Sequence, residues 1–247
     1  MRKKSRVYII NLNKRVLVLS GIIVFMALCA ILFKGYRASK IFKYQPMEAI
    51  VIDPGHGGID GGAGDKEGLL EKDINLDIGL KLKKELTVEN FRVVMTRERD
   101  QSLEGFSNIK ASRYRRDLDA RKSIINRNAP AAFISIHVNS SIKASARGIK
   151  IYHYPDCHKG KELAESICES VDANIYDRYL KDDTLRAEIL SEDYFILRET
   201  NFTGALVEVG FITNPEENKL LQNETYQSKV AFAIKKGIIK YLSGQED

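Results

Sequence analysis

Four side chains stand where chemistry is done. His56 lies in a glycine-rich turn, Asp53-Pro54-Gly55-His56-Gly57-Gly58, directly after the apolar run Ile50-Val51-Ile52. His137 ends a second apolar run over residues 131–136, and Glu208 continues a third, Ala205-Leu206-Val207. Glu71 stands where the glycine loop hands over to a helix. In open α/β sheets, ligands bind beyond the carboxyl ends of the strands, so these residues can converge. Two imidazoles and one carboxylate are the usual protein half of a catalytic zinc site, with a position left open for water. A second carboxylate would then serve as general base to the water and proton donor to a leaving nitrogen. The chain offers one carboxylate for each task, and the pattern alone does not say which takes which.

Each residue also has a plainer reading. A histidine after a buried strand is commonly a hydrogen-bonded structural group, and Glu71 could be an ordinary acid in the first turn of a helix. Glu208 is harder to dismiss, because an acid continuing an apolar strand needs a partner or a task. No HExxH is present. His153, Cys157 and His158 form a rival cluster across a turn with a proline, but its strand end is polar and surface-like. Asp53 shares the first strand end, and Arg97 and Arg121 could orient an acidic substrate or make ion pairs. The glycine loop lacks the Lys and Ser/Thr of a phosphate-binding loop, so it reads as a bridge between His56 and Glu71.

The elements around these residues alternate. Strands are expected at 49–52, 92–96, 131–136, 148–154 and 205–208, with a short one at 194–197. Helices are expected from Glu71, over 118–126, 161–176, 215–221 and 226–242. Ile74, Ile78, Leu82 and Leu86 fall four apart, as do Leu163, Ile167, Val171 and Ile175, which marks amphipathic helices. Residues 97–116 read as a charged loop. Short strands that are apolar throughout, alternating with helices, predict an α/β fold: a mostly parallel sheet flanked by helices in an α/β/α sandwich.

The chain has 247 residues and a formal net charge of +6. Residues 1–47 hold ten Lys or Arg and no Asp or Glu, which leaves 29 basic against 33 acidic residues in the rest. The body is therefore slightly acidic and carries no electrostatic footprint for nucleic acid. Residues 16–33 are uncharged and apolar, about the length that spans a bilayer. The basic residues before them predict an N-terminus in the cytoplasm and an exported body, giving one N-terminal transmembrane helix. The rival is a cleaved signal peptide, for which Ala27-Leu28-Cys29 is a poor site. Cys29 lies in the span, and Cys157 and Cys168 could pair or stay free.

The motifs taken together carry a resemblance. Ile52-Asp53-Pro54-Gly55-His56-Gly57-Gly58, Glu71-Lys72-Asp73, Thr96-Arg97, Ser135-Ile136-His137-Val138-Asn139 and Glu208-Val209-Gly210-Phe211-Ile212-Thr213-Asn214 occur in this order. They resemble the motifs of the zinc-dependent N-acetylmuramoyl-L-alanine amidases, over about residues 48–243. The resemblance implies hydrolysis of the amide between N-acetylmuramic acid and L-alanine in peptidoglycan, around one Zn²⁺. It places the metal ligands at His56, Glu71 and His137 and the catalytic glutamate at Glu208. The layout is a basic cytoplasmic N-terminus over 1–15, a signal-anchor over 16–33, a linker over 34–48 and a catalytic domain over 49–247. A bare catalytic domain of this kind resembles the sporulation and germination-specific amidases. That implies a single-pass membrane protein with an extracytoplasmic catalytic domain, in the forespore intermembrane space. It also implies a muramic acid deacetylase acting in the same pathway. An envelope protein could act as activator by ordering the glycine loop around the metal. The alternatives are another zinc-dependent wall hydrolase (a carboxypeptidase or deacetylase) and a non-catalytic peptidoglycan-binding module. Arg147-Gly148 departs from the Gly-Ala frequent in relatives.

Overall fold

The structure is a computed structural model that describes residues 14, 23–26, 28 and 48–245. The span expected over 16–33 lies largely outside these residues. Among the described residues no helix is long and apolar enough to cross a membrane.

The body is built on a six-stranded sheet in the order β2-β1-β3-β6-β4-β5. The strands are β1 (Ala49–Pro54), β2 (Arg92–Met95), β3 (Ala132–Asn139), β4 (Lys150–His153), β5 (Glu188–Ser191) and β6 (Gly204–Phe211). All neighbours run parallel except β4 against β6. The helices are α1 (Glu71–Val88), α2 (Arg113–Asn128), α3 (His158–Val171), α4 (Phe195–Arg198), α5 (Pro215–Leu221) and α6 (Glu224–Ser243). The mostly parallel α/β architecture expected from the strand pattern is therefore present.

The period-2 alternation of strand side chains sorts the sheet into two faces. Ile50, Ile52, Ile134, Ile136, Ala205 and Val207 point to one face, where they meet Ile78 and Leu82 of α1, Ile167 of α3 and Ile234 of α6 in a large apolar cluster. Val51, Phe133 and Leu206 point to the other, under Ile125 of α2 and Ile196 and Leu197 of α4, in a smaller one. Continuing this second phase towards the carboxyl ends gives Asp53, Ser135, His137 and Glu208. The register sets Asp53 opposite Ser135 and His137 opposite Glu208. One face is thus apolar to its end, and the other turns polar where the strands finish.

Several boundaries differ from the sequence reading. α2 begins at Arg113 rather than 118, because the Ser112 hydroxyl caps it by accepting from the Arg115 amide at 3.3 Å. α3 starts at His158 and runs on into a π-helical stretch, Asp172–Leu180. The short strand expected at 194–197 is instead the helical turn α4, with the Leu197 and Arg198 amides both donating to the Tyr194 carbonyl at 3.0 Å. The edge strand beside β4 is β5, whose Glu-Ile-Leu-Ser run is half exposed and offers little apolar signal. Glu208 lies inside β6, three residues before its end, because the ladder to β3 continues past a register shift.

Candidate metal and catalytic centre

The glycine loop is a folded bridge between β1 and α1. The Gly55 amide donates to the Ile136 carbonyl at 2.9 Å, extending the β1–β3 ladder by one rung. His56 follows with φ 61°, a left-handed conformation uncommon outside glycine. Further on, Gly64 pairs with Leu70 in an isolated antiparallel bridge. The Glu71 amide donates to the Ala63 carbonyl, and the Ala63 amide to Glu71 Oε2, both at 2.8 Å. Space requires glycine at several positions of the loop. A Cβ at Gly55 would stand 2.1 Å from His137 Cε1, and one at Gly62 would stand 2.5 Å from Glu71 Oε2.

This bridge brings three expected residues together. One ligand atom from each of His56, Glu71 and His137 can be chosen so that all lie within 4.8 Å of one another. His56 Nε2 is 3.1 Å and His137 Nδ1 2.9 Å from Glu71 Oε1. The same oxygen accepts from the Val138 amide at 3.1 Å and Asn75 Nδ2 at 3.3 Å. On the far side of the first imidazole, His56 Nδ1 donates to Asp60 Oδ2 at 2.8 Å. A carboxylate on one ring nitrogen leaves the other to face a metal, and such partners fix the ring and raise its basicity.

The electrostatics follow. Burial alone would lower the His56 pKa, but the hydrogen bond and charge of Glu71, followed by those of Asp60, push it up to about 9. Burial would raise Glu71, yet hydrogen bonds from His137 and His56 hold it well below the usual carboxylate range. The donor set, two imidazoles and an ionised carboxylate, is one that suits Zn²⁺.

Glu208 is placed beside this group and treated differently. It faces His137 across the β3–β6 ladder, and its Oε2 is buried with no hydrogen-bond partner among the described residues. Burial is the largest influence and pushes its carboxyl up to about 7; His137 opposes it, Glu71 adds to it and His56 opposes it. A carboxyl that titrates near neutrality and keeps one oxygen unused can both take and return a proton.

The remaining sequence candidates are structural. Asp53 is buried: Arg121 Nη1 donates to its Oδ1 at 2.8 Å, Thr96 Oγ1 to Oδ1 at 2.6 Å and Ser135 Oγ to Oδ2 at 2.8 Å. Burial would raise its pKa, but the Arg121 charge and these bonds lower it. Arg121 also donates to the His56 carbonyl at 2.6 Å, and Arg97 to the Gly55 carbonyl at 2.8 Å. Both arginines therefore clamp the loop backbone. The rival cluster does not assemble: His153 Nδ1 bonds the Tyr154 carbonyl and His158 pairs with Glu162. Among the described residues Cys157 and Cys168 form no disulfide; Cys157 caps α3, and Cys168 donates to the Ala187 carbonyl. Sequence reasoning missed Asp60 and Asn75, which touch the cluster. Their only signal was spacing, since each lies four residues after a candidate ligand.

Residues 50–240 match the family described as N-acetylmuramoyl-L-alanine amidase. The chain belongs to that family. A germination-specific N-acetylmuramoyl-L-alanine amidase of Bacillus subtilis is 35% identical over 204 residues, 80% of this chain and 81% of that one. Among solved structures, the CwlD amidase of Clostridioides difficile, in complex with the GerS lipoprotein, is 38% identical with a TM-score of 0.72; the match covers 80% of this chain and 99% of that one. The catalytic domain of CwlV from Bacillus (Paenibacillus) polymyxa var. colistinus is 30% identical with a TM-score of 0.67, over 80% of this chain and 99% of that one. The amidase activity on peptidoglycan and the α/β fold expected from the motifs both agree with these relatives.

Proposed function

We propose that this amidase is zinc-dependent, with His56, Glu71 and His137 as the metal ligands and Glu208 as the catalytic acid and base. The observation that carries the reading is the buried, unpartnered Oε2 of Glu208 beside a ready-made His-Glu-His donor set. When bound, zinc would polarise the lactyl carbonyl of the muramic acid and lower the pKa of a water molecule. The chain's own residues do the rest. Asp60 fixes the His56 ring, and the Ala63 and Val138 amides fix the Glu71 carboxylate. Glu208 accepts a proton from the attacking water as oxygen bonds to the carbonyl carbon. It then gives that proton to the alanine nitrogen as the carbon–nitrogen bond breaks, which leaves a lactyl carboxyl and a free L-alanyl amine.

The biological setting belongs to the same proposal. Similarity to a germination-specific amidase supports a role in the spore cortex, where removal of the stem peptide would precede a muramic acid deacetylase in muramic-δ-lactam formation. The apolar residues 16–33 and their basic flank support a retained anchor and a catalytic domain outside the cytoplasm. A relative solved with a lipoprotein supports an envelope protein partner.

Purified sacculi provide the test. The zinc-loaded chain is expected to release L-alanyl peptides and leave glycan bearing free lactyl groups. Release of a terminal D-amino acid or of acetate instead would replace this reading with another wall hydrolase. Glu208→Gln is expected to keep its zinc and lose about 10²- to 10⁴-fold in turnover. Near wild-type turnover in that variant would remove Glu208 from the mechanism.

A further inference from the structure

Two features flank the centre on opposite sides of the sheet. On the polar face, next to β6, Tyr152 of β4 lies opposite Leu206 and is the diagonal neighbour of Glu208, a spacing within reach of an aromatic side chain. Tyr194 packs edge-on against it, with ring centroids 5.3 Å apart at 79°. Tyr152 is nearly buried, whereas Tyr194 is 37% exposed. The exposed ring is firmly held: two amides of α4 bond its carbonyl, Ile196 and Leu197 are buried behind it, and the Arg115 guanidinium stacks on Phe195 at 4.0 Å. Burial first, and then negative charge that includes Glu208, raises both phenols, Tyr194 to about 12. They therefore stay neutral throughout the working range.

On the other side, a groove of about 620 Å³ opens between the glycine loop, the segment after β3 and α5. It begins at Gly64, next to the Ala63 amide that holds Glu71. Ser141 and Thr213 form its inner wall, joined by a 3.0 Å bond from the Ser141 amide to Thr213 Oγ1. Lys66, Glu67 and Lys219 stand exposed on its rim beside the half-buried Asp65, and Ile142 projects fully into solvent there.

We propose, resting on the amidase reading, that substrate lies across the carboxyl edge of the sheet in one direction, with its glycan on the Tyr152–Tyr194 pair and its stem peptide in the groove beneath Lys66 and Lys219. Sugar rings present apolar C–H faces, which suit a rigid exposed aromatic ring beside the catalytic carboxylate. A stem peptide is extended and carries both carboxylate and amino groups, which suit a groove rimmed by charges of both signs, with Lys66 and Lys219 to receive the carboxylates. The scissile amide then falls between the two, over the cluster of His56, Glu71 and His137.

The direction is testable with two pairs of soluble muropeptides, one pair differing in glycan length (disaccharide against monosaccharide) and the other in whether the stem carboxylates are free or amidated. Tyr194→Ala is expected to raise KM about three- to tenfold on the disaccharide, with kcat unchanged and little effect on the monosaccharide. Tyr194→Phe is expected to keep the wild-type KM, because the ring face makes the contact. The double variant Lys66→Ala/Lys219→Ala is expected to raise KM about two- to fivefold on free stem carboxylates only. If Tyr194→Ala responds to peptide amidation rather than to glycan length, affects all substrates equally, or is matched by Tyr194→Phe, the direction is wrong. Failure of the wild-type chain to cleave any of the four would overturn the amidase reading instead.

Discussion

The two faces of the sheet are made from the same strands and do opposite work. On the face covered by α1, α3 and α6, buried aliphatic side chains continue to the strand ends, through Val138 and Val209. On the face under α2 and α4, the apolar cluster is small, and its last layer is Asp53, Ser135, His137 and Glu208. The first face gives the domain its stability through burial, which is non-directional. The second spends that stability on charges whose positions matter. The contrast is visible even between two carboxylates: Glu71 is surrounded by donors and held well below the usual range, while Glu208 lacks them and titrates near 7.

The division between the two faces depends most heavily on Arg121. It is 3% exposed and neutralises Asp53. Arg121→Met is expected to cost about 3–5 kcal/mol, since it leaves a buried charge without its partner. Chemical denaturation would measure it, and a loss below 1 kcal/mol would mean that the polar face tolerates an unpaired carboxylate. On the apolar face, Ile167→Ala should cost about 2–5 kcal/mol through the cavity it leaves. It should spare turnover per folded molecule, so a matching fall in kcat would deny the division of labour.

The smallest effect concerns Glu208 itself. Its folded pKa is raised above the ordinary 4.5 to about 7. The folded state therefore favours the protonated form, and stability is lost as pH rises from about 4.5 through about 7. Glu208→Gln removes this titration. In the metal-free domain it should be more stable than wild type by about 1–3 kcal/mol above pH 7 and equal to it near pH 4. Melting temperatures across that range would show the two curves converging on the acid side; parallel curves would count against a strained carboxylate.

The parts legible in the sequence were those with one strong physical cause. β1, β3 and β6 announce themselves because strands buried on both faces cannot alternate in polarity. Their chemistry-bearing residues were legible because a charged group continuing such a run is expensive without a partner. What stayed hidden was decided by tertiary contact. Tyr194 to Leu197 has β-forming residue types, yet it folds as a helical turn because Ile196 and Leu197 are both drawn onto the small apolar cluster. β5 carries a strand with half-exposed residues and was passed over. Asp60 looked like a loop residue, because its role exists only once His56 adopts its left-handed turn and presents Nδ1.

The single rung beyond β1, from the Gly55 amide to the Ile136 carbonyl, has a consequence for observing the site. It lies one residue from His56 and one from His137, so the two backbone segments that carry the imidazoles cannot part without breaking it. Exchange of that amide with solvent deuterium is therefore a built-in gauge of how often those two segments separate. It reports from the backbone, and it can be read without metal, substrate or turnover.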